Sequence, residues 1–370
     1  DVCGGDNTSC EDCAGVPNGD AYEDECGQCD NDPGNDGDCD GDGLVSCESG
    51  GAAAGPGPIS CWGVDGNWNN FGQVSDAPSG TFIDIDSGGW HNCAINASGA
   101  IECWGWDNYG EVSDAPEGTF THISSGSYFN CAIDEFGSIV CWGKDHMGTV
   151  SDAPSGTFIA VATGDGHACA VDELGSITCW GQNDVNYGQI ANTPVEGTFI
   201  AVASGNNHNC AINASGAIEC WGEYLWDDVP EGTFTDISAG AYFNCAINAS
   251  GAIECWGHNN YNQISDAPGG TFIDIDGGWM YACALDALGN IECWGRDDHG
   301  EVSAAPEGTF THISAGAYHS CAILAGEGSV CDLDDEDGNY CGVDLDGDGC
   351  DDCSDGDFNS GNDGEDNDVD

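Results

Sequence analysis

Hydrophobic and polar positions alternate along the middle of the chain in short bursts, each closed by a glycine, and no helical period interrupts them. The stretch Cys93-Ala-Ile-Asn-Ala-Ser-Gly-Ala-Ile-Glu-Cys103-Trp-Gly105 sets the pattern. Ile95 and Ile101 flank Gly99 as the two arms of a short β-hairpin would. The stretch returns at Cys131–Trp142, Cys169–Trp180, Cys210–Trp221, Cys245–Trp256 and Cys283–Trp294. A last version, Cys321–Cys331, lacks the Trp-Gly. Folding the hairpin about Ser98 sets Cys93 opposite Cys103, within reach of a disulfide. Each hairpin is therefore expected to close its own cysteine pair, Cys321 with Cys331 included.

Between the second cysteines the period is 42, 38, 38, 41, 35, 38 and 38 residues, which places several short strands in each unit. One unit reads as four strands. Thr119-Phe-Thr-His-Ile-Ser124 runs to Gly126, Phe129–Ile133 and Ser138–Trp142 form the hairpin, and Gly148-Thr-Val-Ser151 is an edge strand ending at Asp152-Ala-Pro154. Seven Gly-Thr-Phe starts recur, at Phe82, Phe120, Phe158, Phe199, Phe234, Phe272 and Phe310. The expected fold is all-β, a seven-bladed propeller of four-stranded antiparallel blades over 47–331 with a disulfide in each blade. A linear solenoid would need shorter repeats. At the N-terminal end Cys47 to Cys61-Trp-Gly63 reads as an extra hairpin, and an N-terminal strand is expected to complete the last blade. Cys61 then pairs locally with Cys47 or crosses to Cys321; the local pair is expected.

Charge changes the picture next. Asp and Glu number 67 against two basic residues, Lys144 and Arg296, for a net charge of −65. Such a chain repels nucleic acid and anionic membrane, and it needs counterions, from bulk salt or bound divalent cations. No run of about 18 apolar residues occurs, so no membrane-inserting segment is expected. Twenty-five cysteines imply an oxidising compartment, extracellular or at the cell surface. Without a signal peptide, and opening inside a Cys-rich repeat, the chain reads as a processed or partial piece of a longer secreted protein.

The acidity clusters in two flanks, 1–46 and 332–370. Asp36, Asp38, Asp40 and Gly41, or Asp38, Asp40, Asp42 and Gly43 in an overlapping register, fit the first half of a calcium loop. Asp344, Asp346, Asp348, Gly349, Asp352 and Asp355 fit positions 1, 3, 5, 6, 9 and 12, with Asp where a bidentate Glu usually stands. Calcium is the expected cofactor. Cys10-Glu-Asp-Cys13 and Cys26-Gly-Gln-Cys29 also admit a zinc ribbon, although beside Cys3 and Cys39 disulfides are expected. Cys341, Cys350 and Cys353 complete the flanking set, whose pairing the spacing leaves open.

Three resemblances stand on these residues. Gly164-Asp-Gly-His-Ala-Cys-Ala170, Gly175-Ser-Ile-Thr-Cys-Trp-Gly181 and Gly188-Gln-Ile190 resemble the repeat of the regulator of chromosome condensation family, over roughly residues 60–331. That family includes a secreted bacterial branch similar to the β-lactamase-inhibitor propeller, and its propellers serve as exchange factors, inhibitors and scaffolds, so the likeness implies a fold and leaves the function open. Val2-Cys-Gly-Gly-Asp-Asn-Thr-Ser-Cys10 is similar to Cys-rich spacer repeats of secreted bacterial proteins, and Asp30–Gly43 resembles the calcium repeats of thrombospondin type 3.

Candidate chemistry is sparse. His91, His167, His208 and His319 stand at equivalent positions, but Phe129, Phe243 and Tyr281 replace them elsewhere, so packing between blades is expected. Glu102, Glu219, Glu254 and Glu292 sit one per blade and should not converge as an acid and base would. No enzyme activity is expected. Trp62, Trp104, Trp142, Trp180, Trp221, Trp256 and Trp294 read as core, whereas Trp68, Trp90, Trp106, Trp226 and Trp279 depart from the repeat and are the candidate recognition residues. Asn7, Asn96, Asn213 and Asn248 head glycosylation sequons. The expected function is a structural unit of a surface fibre or matrix, a homo-oligomer joined head to tail through its flanks. The alternative is an adhesin or inhibitor gripping a protein or glycan with a propeller face.

Overall fold

The computed structural model describes residues 22–23, 29–30, 56–64, 71–182, 187–223 and 228–326. The chain divides into a unit of Gly55–Gly326 and a unit combining Asp1–Ala54 with Glu327–Asp370. In the latter, Tyr22–Glu23 pairs antiparallel with Cys29–Asp30. The expected calcium ligands, Asp36, Asp38, Asp40, Asp42, Asp344, Asp346, Asp348, Asp352 and Asp355, lie outside the described residues, as do Asn7, Cys47 and Cys331.

The larger unit is a seven-bladed propeller. Blade 1 comprises Phe82–Ser87, His91–Asn96 and Ile101–Gly105. Blade 2 comprises Phe120–Ser125, Phe129–Asp134 and Ile139–Gly143, and blade 3 Phe158–Thr163, His167–Asp172 and Ile177–Gly181. Blade 4 comprises Phe199–Ser204, His208–Asn213 and Ile218–Gly222; blade 5 comprises Phe234–Ala239, Phe243–Asn248 and Ile253–Gly257. Blade 6 is Phe272–Gly277, Tyr281–Asp286 and Ile291–Gly295. Blade 7 takes Phe310–Ala315 and His319–Leu324 from the end of the unit and Ile59–Gly63 from its start.

Ring closure corrects two expectations. Ile59–Gly63 is the third strand of blade 7, in register with His319–Leu324, and not half of an extra hairpin. Cys61 is bonded to Cys321, so the expected pairs Cys47–Cys61 and Cys321–Cys331 do not form. The reason is register: a strand that completes the blade sets Cys61 directly opposite Cys321, where every other blade sets its two hairpin cysteines. Those six pairs, Cys93–Cys103, Cys131–Cys141, Cys169–Cys179, Cys210–Cys220, Cys245–Cys255 and Cys283–Cys293, are joined with Cα atoms 4.0–4.1 Å apart.

Among the described residues each blade has three strands, not four. The segment expected as the edge strand, Gly148–Ser151, coils into a turn, with the Asp152 N–H donating to the Gly148 carbonyl at 3.1 Å. Asp145 Oδ1 accepts from the Val150 and Ser151 amides. Asp107, Asn259 and Asp297 do the same in blades 1, 5 and 6. The donors a fourth strand would offer are already engaged by a side chain.

The core lies between blades. Cys93 and Ile95 of blade 1 pack against Phe120, Ile123, Ala132 and Trp142 of blade 2, and six equivalent clusters complete the circuit. Six of the seven repeat tryptophans, all but Trp256, are anchored by an indole N–H; Trp142 donates to the Glu111 carbonyl at 2.9 Å and Trp62 to the Glu301 carbonyl at 2.9 Å. Toward the axis, the glycine after each first strand touches the next blade's. A Cβ on Gly88 would stand 2.5 Å from the Gly126 carbonyl, and one on Gly316 would stand 2.6 Å from Gly88's. Only a residue without a side chain lets the blades approach this closely.

The residues expected to pack between blades form matched pairs. His91 Nε2 lies 2.7 Å from Asn130 Oδ1, His167 meets Asn209 at 2.8 Å, His208 meets Asn244 at 3.1 Å, and His319 meets Asn92 at 2.7 Å. Where Phe129 and Phe243 replace histidine, the next blade offers Ala168 and Ala282. Where Tyr281 does, it offers Ser320, 2.9 Å from the phenol oxygen. An amide oxygen facing Nε2 requires a proton on Nε2, and burial, which holds His91 and His167 down to about 4, keeps those two imidazoles neutral near pH 7.

Two outcomes are expected in denaturant unfolding. His91→Phe alone leaves the buried Asn130 oxygen without its donor and should cost roughly 2 kcal/mol, whereas adding Asn130→Ala, which recreates the Phe129–Ala168 pair, should recover part of that loss. A double variant no more stable than His91→Phe alone would show that the matched pair carries no coupling. Separately, Cys61→Ala/Cys321→Ala should destabilise more than Cys93→Ala/Cys103→Ala, since the closed loops span 260 and 10 residues. In the loop-entropy picture the difference is about 3 kcal/mol.

Candidate aromatic end face

In every blade the first strand ends, the second begins and the third ends at the same end of the propeller. Residues just before the second strand and just after the third are joined by backbone bonds, such as Trp106 N–H to the Trp90 carbonyl and Lys144 N–H to the Tyr128 carbonyl, each 2.9 Å. This end surrounds an axial opening of about 110 Å³, lined by the glycine ring with Ser87, Ser125, Thr163, Ser204, Asp165 and Trp279.

The aromatic residues outside the repeat pattern meet here. Trp90 stacks on Tyr318 at 4.8 Å, Phe71 meets Trp106 edge-on at 4.3 Å and Trp90 at 6.2 Å, and Trp279 meets Tyr318 at 5.0 Å. Blades 6, 7 and 1 thus share one aromatic patch. Arg296 lies over the rings of Tyr261, Trp279 and Tyr318 at 5.6, 5.3 and 5.3 Å. In blade 2 Lys144 lies over Tyr109 at 4.9 Å and Tyr128 at 4.7 Å. Blade 5 carries the same arrangement with Tyr242 stacked on His258. Both basic residues of the chain therefore sit on aromatic faces at one end of one unit, an arrangement worth roughly 0.5–2 kcal/mol per contact. Arg296 Nε is also paired with Asp298 at 2.6 Å.

A second constellation lies deeper, on the first strands of blades 5, 6 and 1. Asp84 and Asp86 accept from the Ile123 and Ser125 amides of blade 2, and Asp274 and Asp276 accept from Ile313 and Ala315 of blade 7. Ser314 Oγ lies 3.0 Å from Asp86 Oδ1 and 3.1 Å from Asp276 Oδ2. One hydroxyl proton can serve only one of them, an arrangement that favours a proton retained on the other acid. The energetics agree. Burial, and then the Asp276 charge, push Asp86 up to about 8, and burial with the Asp236 charge pushes Asp274 up to about 8. Burial also raises Asp276, and it lifts Asp84 and Asp236 to about 6. No group of three or more His, Cys, Asp or Glu among the described residues is arranged to hold a metal.

Of the recognition residues expected from sequence, Trp90, Trp106 and Trp279 fall on this face, while Trp68 and Trp226 lie outside the described residues. The seven repeat tryptophans are buried between blades. Glu102, Glu219 and Glu254 do not converge; each accepts from its own hairpin asparagine, Asn96, Asn213 or Asn248. Those asparagines shape the turn: Asn96 Oδ1 accepts from the Ser98 and Ala100 amides, and Gly99 follows at φ 83°. Asp134, Asp172 and Asp286 do the same in blades 2, 3 and 6. Tyr109, Tyr128, Tyr261 and Tyr318 were not singled out by sequence, and Lys144 and Arg296 stood out only as the two basic residues, not as part of a site. Their one signal is position, since Tyr128 and Tyr318 precede a second strand, and Lys144 and Arg296 follow a Trp-Gly.

Residues 158–189 and 234–263 match the family profile of the regulator of chromosome condensation (RCC1) repeat. These spans frame blades 3 and 5, each from its first strand to Gln189 or Gln263. No curated protein sequence matches the chain. Among solved structures, it is similar to the ectodomain of the receptor kinase ACR4 from Arabidopsis thaliana, at 24% identity over 67% of this chain and 93% of that one, with a TM-score of 0.56. It is also similar to the ectodomain of the receptor kinase CR4 from Physcomitrella patens, at 24% identity over 66% and 71%, TM-score 0.57. With Prp20p from Saccharomyces cerevisiae the figures are 14% identity, 75% and 94%, and a TM-score of 0.59. The chain carries RCC1-like repeats on a propeller of that fold.

The half-buried acids and the buried histidines set a pH dependence. An acid whose folded pKa lies above its unfolded value lends stability at low pH and loses it as pH rises through the folded value. The histidines act in the opposite sense, because their folded values lie below 6.5 and the stability they lend is lost as pH falls from there toward about 4. Between about pH 6.5 and 8 Asp86 and Asp274 act without opposition, so stability should fall as pH rises, by up to about 1.4 kcal/mol per pH unit for each of these two. Asp274→Asn should flatten that slope in unfolding measured across the range; an unchanged slope would remove Asp274 from the account.

Proposed function

We propose that the propeller is an extracellular binding module whose partner docks on the aromatic end face. One observation carries this reading: the aromatic residues that depart from the repeat gather at a single end, with both basic residues of the chain among them. Repeat residues hold the ring together, so what is peculiar to individual blades is free to serve recognition. Tyr, Trp and Arg supply large rigid contact area at low entropic cost and are the residues that dominate interface energetics. Seven disulfides among the described residues support an oxidising, extracellular setting.

A second reading keeps the fibre. Twenty-five cysteines cannot all pair with one another, which leaves one open to a bond with another chain or with a further part of this one. Calcium at Asp344, Asp346, Asp348, Asp352 and Asp355, and at Asp36, Asp38, Asp40 and Asp42, would join the flanks of successive subunits head to tail. Electron microscopy with and without chelator tests it: fibres that dissolve on chelation support the polymer, and unchanged single rings exclude it.

For the binding module, a photo-cross-linking residue at Tyr109, on the aromatic face, is compared with one at Phe136, an exposed hairpin tip at the opposite end. On producing cells, adducts should form from position 109 and not from 136. Adducts confined to 136 would move the docking face to the other end.

A further inference from the structure

We infer that the aromatic end face receives a basic protein segment, with partner lysine or arginine side chains laid on its rings. This rests on the binding-module reading and specifies the partner. The chain itself shows the chemistry twice. Lys144 lies on Tyr109 and Tyr128, and Arg296 on Tyr261, Trp279 and Tyr318.

The surrounding charge has the matching sign. Asp107, Asp145, Asp297 and Asp298, in the loops that leave the third strands, are exposed at this end, and Asp165 is exposed at the axial opening. They outnumber Lys144 and Arg296, and Asp298 already offsets the Arg296 charge. The two cations therefore do not make the face an anion site. A net charge of −65 repels acidic ligands and a second copy of the chain alike, and it speeds encounter with a cationic partner. Attraction brings the partner in, and the rings give it a place to stop: Tyr109 is 49% and Tyr261 45% exposed, while Trp90, Trp279 and Tyr318 are half-buried and held by their neighbours. Rings fixed in this way lose little entropy on binding.

The test titrates the full-length oxidised protein with a trilysine peptide at about 0.5 M NaCl, where long-range attraction is screened, and reads tryptophan fluorescence and heat. The same peptide with acetylated amines, and cellohexaose, are the neutral comparators. Trp90→Ala, Trp279→Ala and Tyr318→Ala leave net charge unchanged, and Tyr109→Ala removes an exposed ring with little risk to folding; Phe136→Ala is the control at the other end. Trilysine should bind, roughly two- to fivefold more weakly for each end-face ring removed and unchanged in the control. Equal binding by all variants would mean that charge alone holds the peptide, and the inference would fall. Ring-dependent binding of acetylated peptide or cellohexaose would also overturn it while leaving the binding module standing. Absence of binding by every probe overturns it too, and the cross-linking comparison then decides separately whether the face docks anything.

Discussion

The structure depends on complementarity between the middle strand of one blade and the middle strand of the next. A three-stranded sheet cannot bury both its faces by itself, so every blade is stable only against two neighbours. The face carrying Cys93 and Ile95 is apolar and receives Phe120 and Trp142. Within that apolar seam a polar or small pair sits at each junction, His with Asn, Phe with Ala, or Tyr with Ser. Removing one partner strands a buried group, whereas changing both preserves the fit. That asymmetry ties each blade to its particular neighbour and resists a shift in blade order.

Closure follows from the same constraint. Had blade 7 ended at Leu324, its middle strand would have lacked an outer partner and blade 6 would have packed on an unfinished sheet. Ile59–Gly63 supplies the missing strand with the residues each blade uses there, a cysteine, a Trp-Gly and an indole donor. The disulfide Cys61–Cys321 then spans 260 residues, so one bond that looks like the six others ties the two ends of the ring. The half-buried aspartates on the first strands of blades 1 and 6 act across the same seams, capping amides of the next blade.

A ring held by repeated contacts leaves the ends of its strands free to differ. The hairpin tips at one end keep to turn chemistry, Asn or Asp followed by glycine. The other end carries Trp90, Trp106, Trp279, Tyr318 and the two basic residues, and it differs from blade to blade. A charge of one sign over the whole chain and aromatic rings concentrated on one face are the two features on which the proposed recognition of a basic segment rests.

The amino-acid sequence by itself determined the strands, the seven-fold repeat and the six hairpin disulfides, because these rest on alternation and spacing within about forty residues. It also marked Trp90, Trp106 and Trp279 as foreign to the repeat. It could not decide the pairing of Cys61, since a local partner and a distant one satisfy the same spacing, and only the register of Ile59–Gly63 on His319–Leu324 separates them. The edge strand failed for a related reason: Gly148–Ser151 has a strand's composition, and Asp145 takes the amides such a strand would need. Tyr318 and Arg296 stand in different repeats from Trp90, and they become one site because closing the ring sets blades 6, 7 and 1 side by side. Spacing fixes what is near in the chain, and the geometry of a closed ring fixes what is near in space.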